Sequence, residues 1–454
     1  MRYYIIAGEA SGDLHGSNLI RGLRAEDCDA IFRLWGGSLM LTAASFDGGS
    51  APITAAPLSP FDGGSAPITS PGSLSVADLR GTGRCSEVAV GIPSAGTCRP
   101  RHGSGGTMQR SGMVGSEGTS DSPRGFDEPA EGASILVKDY KEGAVMGLTE
   151  VLAKAGKLLA NVKFCKEDIL QWKPDVVILI DYPGFNMKIA KFCHSHGIKV
   201  FYYIAPKTWA SRENRNRKLK KWVDKLFIVF PFEIEYFRKA GIPFEYAGNP
   251  LLDAVDNHEF IRPTPDRYIA LLAGSRSSEI KRMMPVCMQV ADQLGMKVLV
   301  AGAPARSMAD YQEYIEGRSN VEVIFGRTYD VLKFADAAII NSGTASLEAA
   351  LIGTPQVVCW STSAVTAFAA RHILHVLDNI KYISLGNLCI DRLAFRELIQ
   401  EDFTAPEVAA EIRRLIDDAP YRQKMLDDYA EIRQSLGGKG ASSAVAKAMI
   451  KELQ

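Results

Sequence analysis

The chain has 454 residues, and its 52 lysines and arginines balance its 52 aspartates and glutamates, so its formal net charge at pH 7 is zero. This balance does not indicate a nucleic-acid or strongly acidic partner for the chain as a whole, and an electrostatic partner must be recognised by a local cluster. The eight cysteines form no Cys-x-x-Cys pair, which disfavours a zinc site or disulfide framework and favours reduced thiols in a cytosolic protein. We expect no signal peptide, because residues 1–9 read as a short strand followed at once by a charged turn. We expect no spanning helix either, because no apolar run approaches the roughly 18 residues that such a helix needs.

Short apolar runs alternate with helical patterns along most of the chain. The predicted strands are 3–7, 176–180, 200–204 and 226–230 in the first half, and 268–272, 297–301, 321–324, 337–340 and 356–359 in the second. The amphipathic segments between them include 280–295, 346–352 and 405–419. Strand–helix alternation with glycine-bearing turns predicts two doubly wound, Rossmann-like α/β lobes. The polar stretch 249–265, which is rich in proline, is the predicted linker between the lobes.

Residues 41–134 differ in composition from the rest of the chain. These 94 residues hold 17 of the 41 glycines, and the sequence at 46–54 recurs at 61–69. Such a composition buries too little apolar surface to offset the entropy that is lost on ordering. We therefore predict a disordered surface insertion. A read-through or assembly product is the next alternative, and a specific binding segment is the weakest of the three.

Two motifs of the first half follow predicted strands. The turn Gly8-Glu9-Ala10-Ser11-Gly12-Asp13 ends the first strand and opens a helix, the place where doubly wound sheets bind ligands. Its glycines allow close backbone approach and the helix N-terminus favours anions or hydroxyls, although capping by Ser11 or Asp13 explains the spacing equally well. Asp181 directly follows the strand 176–180 and precedes a Pro-Gly turn. That position suits a general base for an attacking hydroxyl, and a helix cap or a buried ion pair is the alternative.

Two further glycine turns lie in the second half. Ser275 and Arg276 follow a predicted strand, and Glu279 begins the next helix. Backbone amides and a fixed guanidinium at such a turn suit the diphosphate of a leaving group, whereas an Arg276–Glu279 pair at i+3 would be purely structural. The run Ser342-Gly343-Thr344 again ends a strand and starts a helix, in which Glu348 is placed to bind ribose hydroxyls. Each glycine turn alone is weak evidence, and two of them facing the crevice of the first lobe are stronger.

A basic segment with two tryptophans follows the strand 200–204. Its basic residues are Lys207, Arg212, Arg215, Arg217, Lys218, Lys220, Lys221 and Lys225, and its tryptophans are Trp209 and Trp222. Basic residues beside interfacial aromatic rings suit anionic lipid headgroups, and a solvated basic helix face is an equal alternative. Nucleic acid is disfavoured because no recognised binding motif accompanies the cluster.

An amphipathic helix is predicted shortly after the insertion. Its apolar residues are spaced 3, 4, 3, 4 and 3 apart, at Val145, Leu148, Leu152, Ala155, Leu159 and Val162. Core packing against the sheet is the ordinary explanation of such a stripe. Further apolar neighbours widen it beyond one contact, which leaves acyl-chain binding as the alternative.

The pair His194 and His196 stands directly before Gly197. No carboxylate or cysteine pattern accompanies it, so we predict the C-terminus of a helix and not a metal site. We expect neither a metal nor a cofactor.

In this order, the motifs resemble those of the lipid-A-disaccharide synthase family, and the resemblance covers 1–40 and 135–454. It rests on residues 8–13, 35–37, 145–152, 180–186, 205–210, 274–276, 342–348 and 382–385. Members of this family are metal-independent, inverting glycosyltransferases of the GT-B fold, with two Rossmann-like lobes and a cleft between them. The resemblance implies transfer of 2,3-diacylglucosamine from UDP-2,3-diacylglucosamine to the 6-hydroxyl of 2,3-diacylglucosamine 1-phosphate, with release of UDP, in lipid A biosynthesis.

The resemblance also implies an organisation and partners. An acceptor- and acyl-binding lobe would span 1–249, interrupted by 41–134; a UDP-sugar-binding lobe would span 250–430; and a C-terminal helix, 431–454, would return to the first lobe. The expected partners are the two acylated sugars and, peripherally, the cytoplasmic face of the inner membrane of a Gram-negative bacterium. A domain-exchanged homodimer is expected as well, and nucleic acid is not.

The resemblance assigns roles to the residues that match the family's motifs. Asp181 would deprotonate the acceptor, Arg276 and Ser275 would hold the diphosphate, and Glu348 the ribose, while Glu9 and Asp13 would line the sugar site. The expected catalytic residues are thus Asp181, Arg276 and Glu9. The expected substrate-binding residues are Gly8, Ser11, Asp13, Ser275, Glu279, Ser342, Gly343, Thr344 and Glu348. The expected acyl or membrane contacts are Val145, Leu148, Leu152, Leu159, Trp209, Lys218, Lys221 and Trp222.

Two departures from the family pattern leave alternatives open. The insertion falls directly after the stretch 36–40, and Ser211 stands where the family commonly has an aromatic residue, which affects local packing or membrane contact. One alternative is another GT-B enzyme acting on UDP-N-acetylglucosamine, either an epimerase or the peptidoglycan N-acetylglucosaminyltransferase. The other is a catalytically inactive, membrane-surface binding protein in which the insertion blocks substrate entry.

Overall fold

The computed structural model describes residues 1–45, 134–140, 150–209, 215–341, 343–362 and 381–454, without the side chains of 150–155 and 157. Within these residues the strands form two parallel sheets. The first contains β1 (Arg2–Ala7), β2 (Ile31–Gly36), β3 (Ile135–Asp139), β4 (Val176–Ile180), β5 (Lys199–Tyr203), β6 (Lys225–Ile228) and β7 (Phe244–Tyr246). The second contains β8 (Tyr268–Leu272), β9 (Lys297–Gly302), β10 (Val321–Phe325), β11 (Ala337–Asn341), β12 (Gln356–Trp360) and β13 (Glu397–Ile399).

Helices connect the strands and cover both sheets. Those associated with the first sheet are α1 (Ala10–Glu26), α2 (Ser38–Ser45), α3 (Glu150–Trp172), α4 (Pro183–Ser195), α5 (Arg215–Trp222), α6 (Pro231–Lys239) and α7 (Pro250–Asp256). Next come α8 (Ser277–Leu294), α9 (Gln312–Ile315), α10 (Thr328–Lys333), α11 (Thr344–Ile352), α12 (Leu385–Ile390), α13 (Ala405–Asp417), α14 (Ala419–Ser435) and α15 (Ala441–Leu453). In the described part of the chain, no helix is both long enough and apolar enough to cross a membrane.

The central strands are buried on both faces, which explains why their sequences are continuously apolar. On β1, Tyr3 and Ile5 belong to one apolar core, while Tyr4 and Ile6 belong to the core on the opposite face. The nine predicted strands all occur, with ends within two residues of those expected. The prediction of an α/β fold with two parallel, doubly wound sheets is therefore confirmed.

Strands that the sequence did not reveal were short or interrupted by charge. β7 and β13 have three residues each, too few for a periodic pattern. β2 contains Arg33, whose Nε and Nη2 donate to Asp168 over 2.8 and 2.5 Å. Asp168 lies on α3 and also accepts a 2.7 Å hydrogen bond from the Tyr4 hydroxyl. The Arg33 charge is therefore paired and hydrogen-bonded. From the local sequence alone, a charged residue at this position argues against a buried strand.

Helices lie across three of the predicted boundaries. The insertion was expected to begin at Leu41, but α2 continues to Ser45, and Ala43 and Ala44 are buried. The predicted linker begins with the packed helix α7, capped by Asn249, whose Oδ1 accepts from the Leu251 N–H over 2.9 Å. The predicted single helix 431–454 is instead the end of α14 followed by α15, because Gly437 and Gly440 adopt left-handed φ angles between them.

The last helix, α15, packs against α1 of the first sheet. A Cβ at Gly22 of α1 would lie 2.9 Å from the Ala446 Cβ, so the two helices approach closely at this glycine. Lys447 and Glu26 form an ion pair of 3.5 Å across the same contact. The proposed lobe boundaries at 249 and 430 stay predictions. Residues 46–133 of the insertion, together with Val145, Leu148 and Ser342, lie outside the described residues, as does the side chain of Leu152.

Candidate active site between two topological switch points

In each sheet, successive strands are added on one side of the first strand and then on its other side, so the strand order reverses at one place. The first has the order β3-β2-β1-β4-β5-β6-β7 and reverses between β1 and β4; the second has the order β10-β9-β8-β11-β12-β13 and reverses between β8 and β11. Adjacent loops leave in opposite directions at such a point and open a crevice beyond the carboxyl ends of the strands, where ligands bind. The four predicted motifs follow these four strands. The topology thus gathers residues that are far apart in sequence into two crevices.

The turn after β1 contacts the turn after β4. A Cβ at Gly8 would overlap the ring of Tyr182, so only glycine allows this ring to lie on the backbone. Glu9 is the N-cap of α1 and is exposed, while Ser11 is half-buried in the first turn of that helix. The two turns of the first crevice therefore form one continuous surface.

Asp13 is a buried carboxylate with three backbone partners. It accepts hydrogen bonds from the N–H groups of Gly37 (2.9 Å), Met40 (3.0 Å) and Leu39 (3.3 Å), and its exposed fraction is 2%. Burial raises the pKa of Asp13, and the three N–H donors oppose that effect. Asp13 thus holds the start of α2 in place beside the crevice. Its direct contact with a sugar stays a prediction.

Asp181 and Tyr182 form a strained turn at the end of β4. Both have left-handed φ angles, 43° and 45°, which cost roughly 1–3 kcal/mol each in a residue other than glycine. The Asp181 carbonyl accepts hydrogen bonds from the Tyr202 hydroxyl (2.6 Å) and Asn186 Nδ2 (2.8 Å). Such outliers concentrate at functional sites.

The groups around the Asp181 carboxylate have opposing effects on its pKa. Burial raises its pKa above the ordinary value, Lys207 lowers the pKa, and Glu9 raises it. A carboxylate with a raised pKa is a stronger base than an exposed one while it remains ionised near neutral pH. Lys207 was predicted only as one member of the basic segment, and its position after β5 now makes it a neighbour of the candidate base.

Arg276 links the two crevices. Its Nη1 lies 2.8 Å from Glu279 Oε1, and its Nη2 lies 3.6 Å from Glu9 Oε1 of the first sheet. The purely structural Arg276–Glu279 pair is thus formed, but it does not account for the whole side chain, which is 59% exposed. Glu9 therefore lies near both Arg276 and Asp181, one from each crevice.

The loop that carries Arg276 is closed by Glu279. Glu279 Oε2 accepts from the N–H groups of Ser275 (2.9 Å) and Arg276 (3.1 Å). Gly274 has a φ of 102°, and a Cβ there would lie 2.6 Å from Asn341 Nδ2 at the end of β11. Since both Glu279 oxygens have protein partners, its direct contact with substrate stays a prediction.

The turn after β11 supplies the other wall of the second crevice. Gly343 is the N-cap of α11 and Thr344 its first residue. Glu348, one turn further, is half-buried and accepts a 3.2 Å hydrogen bond from the Tyr329 hydroxyl. Burial raises the pKa of Glu348, and the Tyr329 hydroxyl opposes that effect. Tyr329, which the sequence did not single out, fixes the carboxylate expected to bind ribose.

A row of aromatic rings runs from the Asp181 turn to the surface of α3. Ring centroids are 5.6 Å apart for Tyr182–Phe185, 5.4 Å for Phe185–Trp35 and 6.0 Å for Trp35–Phe164. Phe164 is 49% exposed and Leu159 58% exposed, whereas Val162 on the same helix is buried. Of the predicted stripe, Val162 therefore packs in the core and Leu159 does not.

The basic segment divides into two parts. Lys218 of α5 and Lys191 of α4 each lie 5.9 Å from the ring centroid of Trp222, and Lys221 is exposed. Trp209 instead packs edge-on against Phe232 of α6, with centroids 5.0 Å apart. This packing does not support a membrane-facing role for Trp209. His196 follows α4 as its C-cap, which confirms the helix C-terminus predicted for the His-x-His pair.

Comparison with known proteins identifies the family of the chain. A family model described as lipid-A-disaccharide synthetase matches residues 128–450. The lipid-A-disaccharide synthase of Geobacter metallireducens is 36% identical over 339 residues, covering 71% of this chain and 87% of that protein. The corresponding enzyme of Trichlorobacter lovleyi is 35% identical over 329 residues, covering 69% and 85%.

Solved structures share the fold at much lower sequence identity. A putative UDP-N-acetylglucosamine 2-epimerase from Listeria monocytogenes superposes with a TM-score of 0.56 at 10% identity, covering 100% of this chain and 96% of that one. Another UDP-N-acetylglucosamine 2-epimerase gives 0.51 at 11% identity, with 100% and 96% coverage. These similarities show the GT-B fold alone, and the sequence relatives show the family. The chain belongs to the lipid-A-disaccharide synthase family and is a glycosyltransferase.

Proposed function

We propose that the chain joins two acylated glucosamines. It transfers 2,3-diacylglucosamine from UDP-2,3-diacylglucosamine to the 6-hydroxyl of 2,3-diacylglucosamine 1-phosphate, with inversion at the anomeric carbon and release of UDP. The observation that carries this proposal is the meeting of Glu9, Asp181 and Arg276 between the two switch points. A base on one side of the cleft and a cation on the other would serve the attacking hydroxyl and the leaving diphosphate.

Asp181 acts on the acceptor. Its carboxylate takes the proton of the 6-hydroxyl as the hydroxyl oxygen bonds to the anomeric carbon, and the bond from that carbon to the UDP oxygen breaks. The attacking and leaving oxygens lie on opposite faces of the donor sugar, so the configuration inverts. The raised pKa of Asp181 favours this proton transfer, and Lys207 opposes the effect of burial by lowering that pKa.

Arg276 acts on the leaving group. Helices α8 and α11 both begin at the second crevice, and the N-terminus of a helix favours a diphosphate. The Arg276 guanidinium exchanges its contact with Glu9 for the diphosphate and stabilises the charge that develops as UDP leaves. Ser275 adds its hydroxyl to the same site, and Glu348 accepts from the ribose.

The test is the formation of the β-1′,6-linked disaccharide from the two purified acylated substrates. We expect Arg276→Ala to lower the rate of transfer by about 10²–10³, while Arg413→Ala, an exposed arginine on α13 that donates to the Gln293 carbonyl, does not change it. Normal transfer by Arg276→Ala would contradict the proposed site. Turnover of unacylated UDP-N-acetylglucosamine to its epimer would instead identify an epimerase.

The insertion decides between an active enzyme and an inactive binding protein. We compare the full chain with a version that lacks 46–133 and so retains all of α2, which ends at Ser45. Equal transfer by both is expected if the segment lies outside the cleft. Transfer by the shortened chain alone, with no binding of UDP-sugar by the full chain, would favour the inactive alternative.

The acylated substrates place the enzyme at a membrane surface. We propose peripheral contact through exposed Leu159 and Phe164 of α3 together with Lys218, Lys221 and Trp222 of α5, on the cytoplasmic face of a Gram-negative inner membrane. Vesicles with about 30% anionic lipid, compared with neutral vesicles, test this: we expect binding to the anionic vesicles, and no binding to either kind would contradict the contact.

We also propose a domain-exchanged dimer, in which the α1–α15 contact forms between two copies of the chain. Light scattering measures the mass in solution, which is twice that of one chain in such a dimer.

A further inference from the structure

The turn at Asp181 adopts a backbone conformation that its residues do not favour. Two consecutive residues other than glycine, Asp181 and Tyr182, have φ angles of 43° and 45°. L-residues with a Cβ rarely adopt this region, and such a pair persists only where the surrounding structure holds it. Hydrogen bonds from neighbouring elements hold this turn.

The groups that hold it converge on the Asp181 carbonyl. The Tyr202 hydroxyl donates to this oxygen over 2.6 Å, and Asn186 Nδ2 donates to it over 2.8 Å and to the Ile180 carbonyl over 3.2 Å. On the other side of the residue, the Asp181 N–H donates to the Tyr203 carbonyl over 3.1 Å. Both peptide groups that flank the Asp181 side chain are therefore fixed by hydrogen bonds.

The two donors are buried and stand on rigid elements. Tyr202 lies in β5, which pairs directly with β4, and Asn186 lies in the first turn of α4; neither residue is exposed to solvent. A buried hydroxyl or amide that lost its acceptor would be costly, so the donors favour the carbonyl orientation that they now meet. Loss of these bonds would let the backbone at Asp181 leave its left-handed φ, and a change in that φ would turn the Asp181 side chain.

We propose that Tyr202 and Asn186 are positioning residues that clamp the Asp181 carbonyl and thereby aim the Asp181 carboxylate into the cleft. This inference rests on the proposed function, in which Asp181 is the base for the acceptor hydroxyl. Without the clamp, the turn relaxes toward an ordinary backbone conformation and the carboxylate turns toward solvent. The loss then appears in the chemical step, because neither donor contacts the substrates.

The charges around the carboxylate are unchanged by the substitutions that test this inference. Glu9 of the first turn and Lys207 after β5 are the charged groups that act on Asp181. Tyr202→Phe removes only the hydroxyl and keeps the ring in the core, so packing is preserved. The matched control is Tyr203→Phe, because Tyr203 is the next residue of β5, is equally buried, and belongs to the core on the opposite face of the sheet.

The experiment measures kcat, both KM values and the pH dependence of kcat for these variants in the full chain. We expect Tyr202→Phe to lower kcat about tenfold with KM within about twofold, as one lost hydrogen bond to the turn predicts. Its acid limb should move to lower pH, because a carboxylate that turns toward solvent loses the burial that raised its pKa. Tyr203→Phe should change neither quantity.

Asn186→Ala and the double variant give a second measurement. Because both donors act on the same carbonyl, the double variant should lose less than the product of the two single losses. An unmoved acid limb in Tyr202→Phe, or a kcat equal to that of the wild type, would overturn the clamp. Asp181→Asn separates this failure from that of the proposed function: full transfer by Asp181→Asn would remove Asp181 as the base, whereas its inactivity together with unaffected Tyr202→Phe would remove only the clamp.

Discussion

The side chains at the two switch points are held in different ways, by buried hydrogen bonds at the first and by exposed ion pairs at the second. In the first, Asp13 and Asp181 are held by buried protein groups, and the backbone at Asp181 is strained. In the second, Arg276 is 59% exposed and is held by ion pairs that water and salt can screen. The difference follows from the chemistry. A base needs a fixed direction and a shifted pKa, which burial provides, whereas a cation that binds a diphosphate must exchange one anionic partner for another.

The largest expected effect on stability concerns a buried carboxylate on α6, a helix associated with the first sheet. Glu233 is 1% exposed, its Oε2 accepts from the N–H groups of Val229 and Phe230, and burial raises its pKa to about 7. The folded chain therefore binds a proton that the unfolded chain has released between pH 4.5 and about 7. The free energy of unfolding should fall by about 3 kcal/mol across this window as pH rises.

Denaturant unfolding at several pH values measures this loss. Glu233→Gln keeps an oxygen for the two N–H donors and should remove most of the pH dependence. Glu235→Gln is the control, because Glu235 lies on the same helix, α6, and is 70% exposed. Identical pH profiles for wild type and Glu233→Gln would contradict the view that the first sheet holds its carboxylates by burial.

The second prediction compares a glycine from each switch point. Gly8→Ala would drive a methyl group into the Tyr182 ring, whereas a Cβ at Gly343 meets no atom within 4 Å, and the Gly343 backbone is extended. Gly8→Ala should cost about 1–3 kcal/mol of stability and should displace the Asp181 turn, so transfer falls as well. Gly343→Ala should leave the melting temperature unchanged. Equal effects at both positions would remove the contrast between a tightly packed and an open crevice.

The smallest expected effect concerns the ion pair that joins the two crevices. Glu9 and Arg276 are more than half exposed and 3.6 Å apart, so Glu9→Gln should change the free energy of unfolding by less than about 1 kcal/mol. The KM for the UDP-sugar should fall slightly, because Arg276 no longer exchanges one anion for another. A large loss of stability would show that this contact is structural and not exchangeable.

The sequence predicted the strands well because their apolar runs are local signals. It also showed which residues directly follow the strands. Those residues were expected to lie near one another, because the ends of parallel strands meet at one edge of the sheet. It could not predict the strand β2, because the partner of Arg33 lies on α3, 135 residues away. The left-handed turn at Asp181 was hidden as well, because neither Asp181 nor Tyr182 is a glycine and the Tyr202 hydroxyl that holds the turn lies 21 residues further on.

The roles of the charged residues were the least predictable from sequence. Asp13 stands in a motif that suits a ligand, yet its carboxylate binds three backbone N–H groups of another segment. Lys207 stands in a basic run, yet it lies near Asp181. In both cases the deciding neighbour belongs to another element, and residue spacing along the chain carries no information about it.

The most direct test of the account is the transfer rate of Asp181→Asn, measured with saturating UDP-2,3-diacylglucosamine and 2,3-diacylglucosamine 1-phosphate. This substitution keeps the size of the side chain and removes its ability to take a proton. We predict a fall in kcat of about 10²–10⁴, with the affinity for UDP, measured by calorimetry, unchanged because Arg276 and the second crevice are intact. A kcat within threefold of the wild type, roughly the effect of a lost weak hydrogen bond, would contradict the assignment of Asp181 as the base.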